Sequence, residues 1–312
     1  MATNTSQVGV ILMTYGSPAT LDDIPTYLKN IRGGRPADEA LIAEFRRRYR
    51  LIGGSPLLHI TREQATALQA ELNRQHPGGP GFHVVAGMRF APPLIADVVP
   101  EVGAFTHQLI GVILSPQYSP IIMSGYVRTL EDAVAALPGG ELKIAGDWHL
   151  EPLFLQALAE RIQQALGRFP PELRERVPVL LTAHSMPKRV VEKEPGYIDA
   201  LKETAAAIAK LVGLSDDRWM FCYQSAGHTP EEWLKPDFAD IMPELKAAGH
   251  THVLIAPVQF LADHLEILYD IEIGAREQAE HHGITFARTA SLNTSPLFIK
   301  ALADVVKDAL EK

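Results

Sequence analysis

Apolar runs rich in β-branched residues recur along the chain, each followed by a longer stretch with helical spacing, and this alternation constrains the fold more than any other feature. Val8–Met13, Phe82–Met88, Gln108–Leu114 and Leu142–Trp148 read as strands in the first half. Val177–Ala183, Trp219–Gln224, His252–Val258 and Ile284–Arg288 do so in the second. Val177–Ala183, the most continuously apolar of these, is expected to be buried on both faces, Val8–Met13 and the run from Val253 are expected to be buried strands, and strands that alternate with helices pair in parallel through right-handed crossovers. Helices are expected at Leu21–Ile31, Ala37–Leu51, Thr61–His76, Ile122–Leu137, Leu153–Leu166, Tyr197–Val212, Asp237–Ala248 and Pro296–Leu310. The two halves rhyme: VILMTYGSP matches VLLTAHSMP, and VILSPQYSP matches VLIAPVQF. The expected architecture is α/β, with two similar parallel sheets facing each other across a cleft. The expected halves are residues 1–148 and 149–295, with the helix at 296–312 packed on the first, and 312 residues suit two domains of about 150 each.

Composition narrows the function classes. A formal charge of -8 argues against nucleic acid as partner and leaves no basic patch for anionic lipid. One cysteine, Cys222, permits neither a disulfide framework nor a thiolate cluster within the chain, so a reducing, cytoplasmic setting is expected. The opening MATNTSQVGVILM reads as a first core strand and not as a signal peptide, and no apolar run approaches the ~18 residues that span a bilayer. Gly33-Gly34 and Gly53-Gly54 match neither a dinucleotide fingerprint nor a P-loop, and Ser185 lacks the flanking glycines of a nucleophile elbow.

Two stretches carry chemistry. Val177–Ala183 stops at His184, which places an imidazole at the carboxyl end of a buried strand, where open α/β sheets put their ligands. An edge histidine satisfied by hydrogen bonds is the plainer alternative. The second stretch, VLIAPVQFLADHLEILYDIEI, opens as a strand, bends at Pro257 and turns helical from about Asp263. On a helix of 3.6 residues per turn, Asp263, Glu266 and Asp270 share a narrow stripe within apolar surroundings. With no nearby Lys or Arg on that helix, the stripe is expected to line a cleft, with a metal or a proton as its partner and no local salt bridge. Tyr15, Tyr118, His184 and Gln224 are expected to point into the gap between the halves.

With these residues in place, the chain resembles the ferrochelatases. AHSMPKRVVEKEPGY, CYQSAGHTPEEWLKPD and PVQFLADHLEILYDIE look like that family's central signatures, and the likeness runs from the first strand to the last helix. MTYGSP, NIRGGRP and FRRRYRLIGGSPL in the first half are most similar to the coproporphyrin-using branch of Gram-positive bacteria. The resemblance implies two Rossmann-like, chelatase-type halves and insertion of Fe²⁺ into coproporphyrin III with release of two protons, a step of haem biosynthesis.

It further implies His184 and Glu266 as the catalytic, iron-binding pair, either delivering iron or taking up pyrrole protons. Tyr15 would be the axial ligand to the product iron, although a buried tyrosine satisfied by a backbone group is an equal reading of the residue alone. Arg32, Arg48, Tyr49, Ser55 and Tyr126 would bind the propionates, while Arg46, Arg47 and Arg50 read as a solvated helix face. Where the family often has a second arginine and a histidine, this chain has Gly33 and Phe90. Gly274 closes the acidic stripe early, which weakens an outer iron route along Asp270 and Glu272. No permanently bound cofactor and no iron-sulfur cluster are expected. A monomer that meets the next haem-pathway enzyme only transiently is the implied assembly. The rival readings are a protoporphyrin IX ferrochelatase, a sirohydrochlorin chelatase for cobalt or nickel, which tends to have histidine where Glu266 stands, and a non-catalytic haem carrier.

Overall fold

The structure, a computed structural model, describes residues 7–79, 81–227 and 231–311, so the His228–Pro230 part of the CYQSAGHTPEEWLKPD segment lies outside the described residues, as do residues 1–6 of the expected opening segment and Pro80 in the loop before the second strand. Two compact units divide the chain. One runs to Trp148 and resumes at Asn293; the other is His149–Leu292.

In the first unit, β1 (Gln7–Thr14), α1 (Ile24–Ile31), α2 (Glu39–Leu51), α3 (Leu57–Gln75), β2 (Gly81–Met88), α4 (Ile95–Gly103), β3 (Gln108–Ile113), α5 (Pro120–Ala135) and β4 (Glu141–Ile144) follow in order, and α12 (Pro296–Glu311) returns to it from the chain's end. All strands are parallel in the order β2-β1-β3-β4. Ile11, Met13, Leu109 and Ile113 pack with Val98, Val102, Met123 and Leu130 of α4 and α5. Val10 and Leu12, which alternate with them, face the opposite side, and α3 and α12 pack on the sheet and on each other. Gly9 and Gly111 let α4 and α5 approach closely, since a Cβ there would meet Val102 Cγ1 at 2.2 Å and Leu130 Cδ2 at 2.4 Å.

The second unit repeats the plan. Its elements are α6 (Pro152–Leu166), α7 (Pro171–Arg174), β5 (Val179–His184), α8 (Lys188–Val191), α9 (Gly196–Val212), β6 (Trp219–Gln224), α10 (Phe238–Ala247), β7 (His252–Pro257), a π-helix at Glu266–Ala275, α11 (Arg276–His281) and β8 (Thr285–Arg288). The order β6-β5-β7-β8 is the order of the first sheet with each strand replaced by its counterpart. α6 and α9 pack together on one face. On the other, Leu180, Cys222, Val253 and Ile255 pack against Ile241 and Met242 of α10 and against Ile267 and Ile271. Two Rossmann-like halves are thus present, and no helix among the described residues is long and apolar enough to cross a membrane.

The main departure lies after β7. The regular helix expected from Asp263 begins at Leu265 and continues as the π-helix, whose i→i+5 bonding changes which residues share a face. Asp263 therefore precedes the helix and does not stand on a stripe with Glu266. It pairs with Arg288 Nη1 at 3.5 Å and accepts a hydrogen bond from Ser291 Oγ at 2.8 Å, so the expectation of no salt bridge is corrected: the partner comes from the end of β8, outside the helix.

Candidate active site

In each sheet the chain steps from the first strand to one side and then crosses to the other, so the strand order reverses between β1 and β3 and between β5 and β7. The carboxyl ends flanking such a reversal are where open α/β sheets hold ligands. In the second unit that point carries His184, the last residue of β5. Its backbone N–H donates to Gln259 Oε1 at 2.7 Å, and Gln259 is itself anchored by donating Nε2–H to the Tyr197 hydroxyl. His184 Nδ1 lies against the Ser185 carbonyl oxygen. A carbonyl only accepts, so Nδ1 carries a proton, and it is Nε2 that presents a lone pair when the ring is neutral. That Nε2 stands 3.8 Å from Glu266 Oε1, with His184 30% and Glu266 35% exposed at the side chain. The separation exceeds a hydrogen bond and leaves both atoms open to a common partner.

The other oxygen of Glu266 belongs to His264, whose Nε2 is 3.3 Å from Oε2 and whose Nδ1 is 2.9 Å from the Ala262 carbonyl. Both partners accept, so both ring nitrogens donate and His264 is an imidazolium. Burial opposes that charge, but the Glu266 carboxylate and the Ala262 carbonyl win and raise the pKa above the ordinary histidine value. For Glu266, burial pushes the carboxyl up; a positive charge on His184 and the hydrogen bond and charge of His264 outweigh it and hold it well below the usual carboxylate range. Helical spacing does not single out His264, because residues two apart on a helix face different ways. It reaches Glu266 because it precedes the helix. Among the described residues no group of three or more His, Cys, Asp or Glu is placed to hold a metal ion.

The first unit carries Tyr15 at the matching place, one residue past β1. Tyr15 is 40% exposed, which excludes the buried-tyrosine reading. Its ring meets the edge of Phe90 at 4.6 Å, the Arg89 guanidinium lies over Phe90 at 4.7 Å, and the same guanidinium lies over Tyr126 at 5.0 Å. Tyr15 and Tyr126 are thus joined through Phe90 and Arg89. Tyr126 is buried, which pushes its hydroxyl pKa up. Tyr49 is buried and bonded to Ser17 Oγ at 3.0 Å. Arg48 pairs with Glu44 at 2.7 Å, and Arg47 shares that carboxylate. Arg32, exposed at the end of α1, has no side-chain hydrogen bond or ion pair among the described residues. Ser55 sits before α3 and accepts from the Leu57 N–H at 3.4 Å. Gly33 has φ +64°, a conformation in which an arginine would be strained.

Gln224 does not lie open as expected. It is buried at the end of β6 and accepts a hydrogen bond from the Thr182 hydroxyl inside its own unit.

A family model described as Ferrochelatase matches residues 7–310. The chain belongs to the ferrochelatase family. A protein of Deinococcus radiodurans named ferrochelatase is 38% identical over 98% of this chain and 96% of its own length. A protein of Geobacillus kaustophilus named coproporphyrin III ferrochelatase is 37% identical over 96% of this chain and 94% of its own. Among solved structures, SirB from Bacillus subtilis with Fe³⁺ matches with a TM-score of 0.59 at 12% identity, covering 97% of this chain and 95% of that one. CbiX, a terminal enzyme of sirohaem biosynthesis in denitrifying bacteria, matches at 0.54 and 15%, covering 97% and 99%. At such identities these two speak for the fold alone. A ferrochelatase is a lyase that inserts iron into a porphyrin. The reaction needs two pyrrole protons removed and one ferrous ion stripped of water, and the His184–Glu266 pair offers a nitrogen lone pair and an anionic oxygen side by side.

Proposed function

We propose that this ferrochelatase acts on coproporphyrin III, that His184 and Glu266 form its metallation pair, and that Tyr15 is the axial ligand to the iron of the product. The observation that carries the pair is the 3.8 Å between His184 Nε2 and Glu266 Oε1. Two metal–ligand bonds of about 2.1 Å reach just over 4 Å end to end, so one divalent first-row ion can bridge both atoms without rearrangement. The substrate Fe²⁺ exchanges water for these ligands and then passes to the macrocycle's four nitrogens, and the His184 Nε2 and Glu266 carboxylate that it leaves can each take one of the two displaced pyrrole protons. His264 keeps Glu266 anionic until that transfer.

The choice of porphyrin rests on the first unit. Coproporphyrin III carries four propionates, and Arg32, Arg48, Tyr49, Ser55 and Tyr126 supply cations and hydroxyls to receive them. Arg32 has an unpaired guanidinium to give, while Arg48 would exchange or share Glu44. The similarity to a coproporphyrin III ferrochelatase supports the same choice. No resident cofactor is required by this chemistry.

The test is anaerobic incubation of the purified protein with Fe²⁺ and either coproporphyrin III or protoporphyrin IX, followed by absorbance. Metallation of coproporphyrin III at a kcat/KM at least tenfold above that for protoporphyrin IX is expected. Preference for protoporphyrin IX would overturn the substrate assignment, and metallation of neither would favour a carrier of haem.

A further inference from the structure

We propose that Arg89 is an additional carboxylate-binding residue for the tetrapyrrole, gripping one propionate from the Tyr15 side of the site; the proposal rests on a porphyrin being the substrate and deepens that reading. Arg89 directly follows β2, and its backbone N–H donates to the Thr14 carbonyl at 2.9 Å, which fixes it beside Tyr15 at the sheet's carboxyl edge. Its side chain is half-buried. It makes one long hydrogen bond, 3.5 Å to the Ile122 carbonyl, and no ion pair among the described residues. A half-buried guanidinium held by one long bond keeps most of its donors for an anion. Arg48, Arg218 and Arg288, with 21%, 11% and 16% of the side chain exposed, each have a carboxylate, while the half-buried Arg46 and Arg161 bond instead to the Leu21 carbonyl and to Gln164.

The surroundings hold the group flat and ready. Phe90 and Tyr126 offer their ring faces at 4.7 and 5.0 Å, and stacking leaves the guanidinium edge, with its paired N–H donors, for a planar acceptor. Helix α5 has Gly125 where the guanidinium crosses it: a Cβ there would stand 1.9 Å from Nη2 and 2.3 Å from Cζ. Glycine inside a helix is unfavourable by about 1 kcal/mol relative to alanine, so the residue is explained by the room it leaves. A carboxylate is the ligand that matches a stacked guanidinium fork, and carboxylates are what a porphyrin carries at its rim.

Steady-state metallation by the full chain, with coproporphyrin III and with protoporphyrin IX, tests this in the parent, Arg89→Met, Arg89→Lys and Gly125→Ala. Loss of one charge-assisted contact is expected to raise the porphyrin KM roughly tenfold or more in Arg89→Met, with kcat and the KM for Fe²⁺ within threefold of the parent. Arg89→Lys should recover most of the loss. Gly125→Ala keeps the charge and favours the helix, so it should raise the porphyrin KM by displacing the guanidinium while Tm does not fall. Porphyrin KM values within twofold of the parent in both Arg89→Met and Gly125→Ala would overturn the proposal, and Gly125→Ala and Arg89→Lys decide the matter should Arg89→Met fail to fold. A parent that prefers protoporphyrin IX yet loses affinity for it in these variants would refute the coproporphyrin reading and uphold Arg89. The opposite pattern would do the reverse.

Discussion

Hydrogen-bond partners separate the two histidines of the proposed metallation site. His184 has a carbonyl on Nδ1 and, in its neutral form, a lone pair on Nε2, as a base or ligand needs; His264 has acceptors on both nitrogens, which favours its cation. The work of His264 is therefore electrostatic. Replacing it by alanine removes the charge and hydrogen bond that hold Glu266 anionic, so the Glu266 pKa must rise. The acid limb of the kcat/KM profile should move to higher pH, and kcat should fall roughly 10- to 100-fold, the usual cost of removing a residue that orients a metal ligand. A pH–rate profile superposable on that of the parent would contradict this. His184 was legible in the sequence because a buried strand ending on an imidazole is a positional signal. Neither His264 nor Arg89 was, since each acts through a contact that no helix or strand period generates.

At the scale of elements, the segment after β7 shows where periodicity stops being a guide. The sequence indicates an acidic helix, and one is present, but ten residues of it wind as a π-helix. Arg288 braces both ends of that segment, with Nη1 3.5 Å from Asp263 before it and Nε 2.6 Å from Glu272 within it. Glu272 is also paired with Arg276, so it is engaged as a structural anion. Arg288 is distant in sequence from Asp263, and for that reason the pairing could not be read from the helix alone. Arg288→Met should cost about 2 kcal/mol, less than a fully buried pair because Glu272 is 36% exposed, and lower Tm by roughly 4 to 8 °C. Burial pushes the Glu272 carboxyl up, but Arg276 and Arg288 outweigh it and depress its pKa below the ordinary 4.5. A depressed folded-state pKa gives stability that is complete above the ordinary value and lost as pH falls through the depressed one. The Tm deficit of Arg288→Met should thus be full at pH 7 and shrink below pH about 4.5; a deficit independent of pH would show that the ion pair is not its source.

The molecule as a whole is one plan used twice. β1 and β5 are the matching interior strands of sheets with equivalent order, and the side chain that each unit contributes to the proposed chemistry lies at the carboxyl end of its strand, Tyr15 one residue past β1 and His184 as the last residue of β5. Continuous apolar strands such as Val10–Met13 and Val179–Ala183 made that plan visible in the sequence, because burial on both faces leaves an unbroken pattern. The individual propionate contacts were not visible in the same way, since an arginine on a helix reads alike whether it meets Glu44 or a ligand. The most direct measurement is the anaerobic rate of Fe²⁺ insertion into coproporphyrin III by His184→Ala beside the parent, with porphyrin binding checked by titration. Porphyrin affinity within threefold of the parent and an insertion rate lower by about 100-fold or more are expected; an insertion rate within threefold of the parent would contradict the central claim that the imidazole at the end of β5 carries the metallation.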